Sequence, residues 1–228
     1  LVFQDPERQS VMSRVDNEVA FGLECMGTPP DEIGGRVEAA LASVGLEGKA
    51  AEMVSELSSG QAQRLALADV LAMEPRVLAL DEPTSQLDPE AAEEFLSYLE
   101  RERSKAGTTV LLAEQRLDRG LQLADRVLVL VDGKLLFDGT PREFVDNGWV
   151  TDDRVPTPTA VEVFHGHGEV PMDPPTARRS LERLVKEGHV RVERSPGPGG
   201  GEPLVGCEGL RFSYRSGEEV LRGVDLEL

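Results

Sequence analysis

Leu57-Ser58-Ser59-Gly60-Gln61 opens a run that continues as Ala62-Gln63-Arg64-Leu65-Ala66-Leu67-Ala68-Asp69-Val70-Leu71-Ala72 and breaks at Glu74-Pro75. The run closes as Val77-Leu78-Ala79-Leu80-Asp81-Glu82-Pro83-Thr84-Ser85-Gln86-Leu87-Asp88. Its first part reads as a small-residue loop feeding the N-terminus of a helix over 62–72. Amides at a helix start carry unpaired donors and partial positive charge, which suits a phosphate. Residues 77–80 show no polar alternation, the pattern of a parallel strand buried on both faces. Asp81 and Glu82 follow that strand at once, in the crevice where α/β sheets bind ligands.

Taken singly, each piece is ordinary, because Ser-Gly loops usually just turn the chain and acidic pairs after apolar strands are common. In this order and spacing the stretch resembles the ATP-binding-cassette (ABC) ATPases, since a motif is most telling when its expected context surrounds it. Residues 57–61 look like that family's signature loop, normally Leu-Ser-Gly-Gly-Gln, with Ser59 departing from the first glycine and Gly60 keeping the second. Residues 78–82 look like the Walker B strand and residues 85–88 like the D-loop. The fold class this implies is α/β: a partial P-loop NTPase core with a parallel sheet and a helical subdomain. A linker and the antiparallel start of a second ABC domain would follow.

Working outward, Leu1-Val2-Phe3-Gln4-Asp5-Pro6-Glu7 reads as a strand running into a loop stopped by proline. It resembles the family's Q-loop, with Gln4 as the glutamine that reaches Mg²⁺ and the attacking water. With Gln9 and then Asn17-Glu18-Val19-Ala20-Phe21-Gly22, it is similar to one subgroup. That subgroup is the ATPases of energy-coupling-factor importers for vitamins and transition metals. Residues 31–46 place Ile33, Val37, Ala40, Leu41 and Val44 at helical spacing despite Gly34-Gly35, with Asp31 as a candidate N-cap. In the family this region is the helical subdomain that touches the membrane subunit. Gly48-Lys49-Ala50 is not a phosphate loop, since no glycine stands five positions before Gly48 and no Ser or Thr follows Lys49.

Downstream, Pro89 starts a helix bearing Phe95, Leu96 and Leu99, and residues 108–113 form the next apolar strand. Gln115 aligns with the histidine that serves as the family's switch. Asp132-Gly133 between apolar runs is a two-residue hairpin signal. From about residue 146 prolines accumulate, a linker composition with a helical pattern over 176–187 and a possible short strand over 189–193. A winged-helix reading of that segment is disfavoured by the acidic chain and the lack of a preceding helical pair. His165 and His167 lack a third metal ligand nearby and read as loop. Residues 205–228 alternate like antiparallel strands around Ser216-Gly217 and resemble the opening of a second ABC domain, with Tyr214 as the aromatic that stacks on adenine. The expected domains are therefore 1–145, a first ABC domain from the Q-loop onward, then a 146–203 linker, then 204–228.

Composition bounds the function. The 228 residues carry a formal charge of −18 and a pI near 4.6, which argues against nucleic-acid binding and against an anionic-lipid patch. Cys25 and Cys207 form no ligand pattern, and a reduced setting is the default. No apolar run approaches the roughly 18 residues needed to span a bilayer. The sequence opens without methionine inside an apolar run and stops inside another, so it reads as a fragment from Q-loop to second A-loop of a tandem ATPase, with neither Walker A motif.

The resemblance implies ATP and Mg²⁺ as cofactors and Glu82 and Gln115 as catalytic residues. It implies Asp81 and Gln4 at the metal, and nucleotide contacts from Gln4, Ser58, Ser59, Gly60, Gln61, Asp81, Asp88 and Tyr214. The implied partners are membrane-embedded transporter subunits and the second ABC domain of the same chain in a head-to-tail sandwich, at the cytoplasmic face of the membrane. Two other readings stand beside it. One is a soluble tandem ABC protein acting on ribosomes, a class that usually joins its domains with long charged helices. The other is a nucleotide-binding regulatory module whose first site is degraded at Gln115.

Overall fold

The computed structural model describes residues 1–6, 9–115, 117–146, 155, 157–164, 166–190, 206–213 and 219–227. They fall into two compact units, residues 1–183 and 184–228.

In the first unit, helix α1 (Val15–Cys25) buries Val15, Val19 and Leu23 at successive turns. Helix α2 (Pro30–Ser43) begins with Pro30 in its first turn, where a missing N–H costs nothing. The expected cap is displaced: the N-cap is Pro29, which makes no side-chain cap, and Asp31 lies inside the first turn beside Glu32. There both carboxylates face the positive end of the helix. Val37, Ala40 and Leu41 are buried, so the Gly34-Gly35 pair interrupts neither the helix nor its apolar stripe.

Helix α3 (Ser59–Leu71) is the most deeply placed, with Leu65, Ala66, Leu67, Ala68 and Val70 in the core. Strand β1 (Val77–Asp81) pairs in parallel with β2 (Thr109–Ala113), Leu80 opposite Leu112. On its other side Val2 makes a single parallel bridge to Leu80, through Val2 N–H to the Ala79 carbonyl at 2.9 Å and Asp81 N–H to the Val2 carbonyl at 3.0 Å. The strand expected over residues 1–3 is thus one bridge long. The expectation of burial on both faces of β1 is corrected: Leu78 and Leu80 share the buried face, while Val77 on the opposite face is 64% exposed. Leu78 and Leu80 join the core cluster that α3 contributes to, while Ala79, on the same face as Val77, is only half-buried.

Helix α4 (Pro89–Ala106) runs between β1 and β2, capped by Asp88 and ended by Gly107 in the left-handed region at φ 63°. It seats Ala92, Phe95, Leu96 and Leu99 in the same core. Helix α5 (Leu117–Leu123) leads to the hairpin of β3 (Val127–Val131) and β4 (Lys134–Gly139). Asp132 and Gly133 both have positive φ, 50° and 73°, as a two-residue hairpin turn of this twist requires. Helices α6 (Pro141–Asp146), α7 (Thr159–Phe164) and α8 (Pro174–Lys186) follow, with α8 crossing from one unit to the other.

In the second unit β5 (Gly206–Ser213) and β6 (Glu219–Glu227) form an antiparallel hairpin. Residues 189 and 190 are not strand, and 191–193 lie outside the described residues, as do Tyr214, Ser216 and Gly217. Among the described residues no helix is long and apolar enough to cross a membrane.

Candidate functional site

Val2, β1 and β2 run parallel, so their carboxyl ends open on one edge of the sheet. Each end delivers a polar side chain to that edge, and the three converge. Gln4 donates its side-chain amide to Oε2 of Glu82 at 3.0 Å. Gln115 donates its own to Oε1 of the same carboxylate. Glu82 therefore has both oxygens engaged by neutral amides from the two flanking segments.

Backbone geometry holds Glu82 in place. Its φ is +44°, a conformation that favours glycine and costs an ordinary residue free energy, so it persists only where its surroundings over-determine it. Those surroundings are visible. Glu82 N–H donates to the Ala113 carbonyl at 2.9 Å, and Ser85 donates to the Glu82 carbonyl through N–H at 3.1 Å and Oγ at 2.8 Å. A second tie joins the two loops: Thr84, buried, donates its hydroxyl to Glu114 Oε2 at 2.9 Å. Thr84 and Glu114 did not emerge from the sequence. The only available signal was a hydroxyl and an acid placed just beyond two adjacent apolar strands. Asp81, last residue of β1, is exposed at the same edge.

The loop over residues 57–61 is built differently. Ser58 is the N-cap of α3: its Oγ accepts from Gln61 N–H at 3.3 Å, and Gln61 Oε1 accepts from Ser58 N–H at 3.0 Å. This capping box satisfies two helix-start groups reciprocally. It pulls the helix start back to Ser59, so Ser59 and Gly60 already lie in its first turn. A Cβ on Gly60 would stand 3.3 Å from the Ala91 Cβ in the first turn of α4. That same turn is capped by Asp88, whose Oδ1 accepts from Glu90 N–H at 3.0 Å and Ala91 N–H at 2.9 Å. The structure thus brings the 57–61 loop and Asp88 together through α4, and gathers Gln4, Glu82 and Gln115 at the sheet edge. The hydrogen bonds of Ser58 and Gln61 run to each other and not to that second group.

Among the described residues no three His, Cys, Asp or Glu side chains cluster as a complete metal site. The exposed Asp81, with Glu82 and the Gln4 amide beside it, is instead a short set of hard oxygen donors. That suits Mg²⁺, which takes one or two carboxylates and completes its shell with phosphate oxygens and water.

The architecture is that of a nucleotide-binding α/β core, and comparison with known proteins agrees. Residues 1–85 match the ABC transporter family. The energy-coupling factor transporter ATP-binding protein EcfA1 of Caldanaerobacter subterraneus subsp. tengcongensis is 38% identical over 187 residues, covering 82% of this chain and 67% of that protein. A Methanosarcina mazei protein named as a candidate ABC transporter ATP-binding protein is 34% identical over an alignment covering 100% of this chain and 42% of its own length. Among solved structures, cbiO1 of Clostridium perfringens, described as part of the ABC transporter complex cbiONQ, superposes with a TM-score of 0.59. That match has 36% identity and covers 68% of this chain and 64% of the other. The chain belongs to the ABC transporter ATP-binding protein family. It spans 27% to 42% of the length of several longer relatives that it matches.

Proposed function

We propose that this chain is part of the ATP-hydrolysing subunit of a membrane importer of the energy-coupling-factor type, taking up a vitamin or a transition metal. The observation that carries the reading is the Glu82 carboxylate, set in a left-handed turn and held between Gln4 and Gln115 at the carboxyl edge of the sheet. The likeness to EcfA1 and to cbiO1 supports the subtype. The alignment of the whole chain, residues 206–227 included, with a longer relative supports two ABC domains in one polypeptide. The membrane subunits then select the substrate, and the protein sits peripherally at the cytoplasmic face.

Phosphoryl transfer to water needs charge neutralisation and a positioned nucleophile. Mg²⁺ held by Asp81 and Gln4 would neutralise phosphate charge when bound. The chain's own groups do the rest. Glu82 orients the attacking water and takes its proton, a role contributing about 10²–10⁴ in rate. Each of its oxygens accepts one amide and keeps a second lone pair for that water. Gln115 donates a neutral N–H toward the γ-phosphate. The start of α3, with the amides of Ser59, Gly60 and Gln61 and the Ser58 hydroxyl, acts on nucleotide bound by the other ABC domain, whose adenine would stack on Tyr214.

The test is Mg²⁺-dependent ATP turnover by the full-length protein joined to its membrane subunits. Turnover that vanishes with Glu82→Gln is expected. Tight ATP binding with no turnover in the assembled complex would instead establish the regulatory-module reading, which rests on Gln115 standing where the family has histidine.

A further inference from the structure

Beyond Phe3 the chain leaves the sheet, and the loop carrying Gln4 folds on itself. Phe3 N–H donates to Gln9 Oε1 at 3.1 Å, and Gln9 N–H donates to the Pro6 carbonyl at 3.1 Å. Its far end, Val11 and Met12, does not lie deep in the core, since Val11 is 66% exposed and Met12 half-buried. It is held by Glu18. This residue, 6% exposed on α1, accepts the Val11 N–H on both carboxylate oxygens at 3.0 Å each. It also accepts the Met12 N–H on Oε2.

An acid on a buried stripe between Val15 and Val19 is costly unless its oxygens are satisfied by donors. Two backbone amides meet that need, and such charge-assisted bonds are roughly twice as strong as neutral ones. Asp69 on α3 supplies a second observation. Its Oδ1 is buried without a hydrogen-bond partner. Burial, and after it the charge of Glu18, push its carboxyl well above the usual carboxylate range. One residue on, Ser13 accepts from Val54 N–H at 2.8 Å, on the segment leading into Ser58. The Glu18 clamp therefore ties the Gln4 loop to both α1 and the approach to the signature loop.

We propose that Glu18 is a positioning residue for Gln4: by anchoring Val11 and Met12 it fixes the loop that sets the Gln4 amide against Glu82. The inference deepens the ATPase reading and rests on it for its functional meaning. Its test reads the loop directly, so a failed turnover assay would count against the proposed function alone.

The experiment uses the full-length protein labelled with ¹⁵N and ¹³C at valine, methionine, glutamine, glutamate and aspartate. In the wild type, through-hydrogen-bond couplings should connect the Val11 and Met12 amides to the Glu18 carboxyl carbon; their absence would overturn the proposal without any variant. In Glu18→Gln, exchange at Val11 and Met12 should rise about tenfold, the change expected for losing about 1.4 kcal/mol of charge assistance. The Val15 and Asp16 amides, which bond to the Glu52 and Ala50 carbonyls, should keep their rates. The Gln4 side-chain NH₂ signal should shift toward its free position. Unchanged exchange at Val11 and Met12, a rise shared equally by Val15 and Asp16, or an unmoved Gln4 signal would each overturn it.

Discussion

Gln4 and Glu82 meet through a 3.0 Å hydrogen bond across the sheet edge, one lying just past a single β-bridge and the other just past the strand paired with it. The bond places a neutral donor on the carboxylate that is the candidate base, while Gln115 holds the other oxygen. Glu82→Gln would keep the shape and remove the proton acceptor. Phosphate release by the full-length protein should fall by at least about 100-fold, with ATP binding retained in a fluorescence titration. Turnover within a few-fold of wild type would show that another group takes the proton.

Gln115 donates only from a neutral amide, whereas a histidine there could become cationic and meet developing charge on the γ-phosphate. Gln115→His should therefore raise turnover at the site containing Glu82, by several-fold on the difference between neutral and charge-assisted bonds. Single-turnover measurement with each site separately disabled would detect it. An unchanged or lower rate would show that the amide is the better partner for Glu82.

Local patterns carried much of this arrangement in the sequence. Asp132-Gly133 named its hairpin because few residue pairs tolerate two positive φ values. Asp81 and Glu82 named the sheet edge because an apolar strand can only deliver them there. Pairings between distant segments were not legible in the same way. Glu18 and Asp69 each stand on an otherwise apolar helix stripe, which signals a buried acid but not its partner. The partners come from loop amides and from another helix, chosen by packing. Cap positions shifted by a residue or two for a related reason: Pro29-Pro30 fixes the backbone at the start of α2 more firmly than the Asp31 side chain could.

The Asp69 carboxyl gives a pH dependence with a definite sign. Burial and the Glu18 charge raise its pKa in the folded chain above the unfolded value. Its favourable contribution is complete below the ordinary carboxylate pKa and is lost as pH rises through the folded value. Asp69→Asn, neutral throughout, lacks that loss. Thermal unfolding followed from about pH 5 to about pH 9 should show wild type losing stability relative to the variant as pH rises. Parallel curves would mean that Asp69 ionises freely in the fold.

The sequence carries no G-x-x-x-x-G-K-[ST] pattern, so these 228 residues alone have no loop to wrap the β- and γ-phosphates. Purified by themselves they should show no ATP turnover above a Glu82→Gln control. Turnover that the substitution abolishes would mean that some other segment cradles the phosphates.

Gly60 tests the head-to-tail assembly, and the structure shows which control is needed. A Cβ at this position would meet Ala91 at 3.3 Å, so any side chain carries a packing cost before phosphate is considered. Gly60→Ala isolates that cost. Tight packing opposes it, while replacing a helical glycine contributes roughly 0.5–1 kcal/mol of stability, so the net change should stay within about 1 kcal/mol. Gly60→Asp adds a negative charge at a helix start that is positioned to meet phosphate. On the proposed two-domain reading it should leave ATP binding by the other domain intact in the full-length protein, since the proposed adenine contact, Tyr214, lies far from Gly60 in the sequence. It should nevertheless block closure and hydrolysis there, with Gly60→Ala retaining most activity. If Gly60→Asp silenced only the site containing Glu82, the signature loop would serve its own domain and the head-to-tail sandwich would be wrong for this protein. If Ala and Asp were equally inactive, the contact with Ala91 rather than the phosphate would account for the glycine.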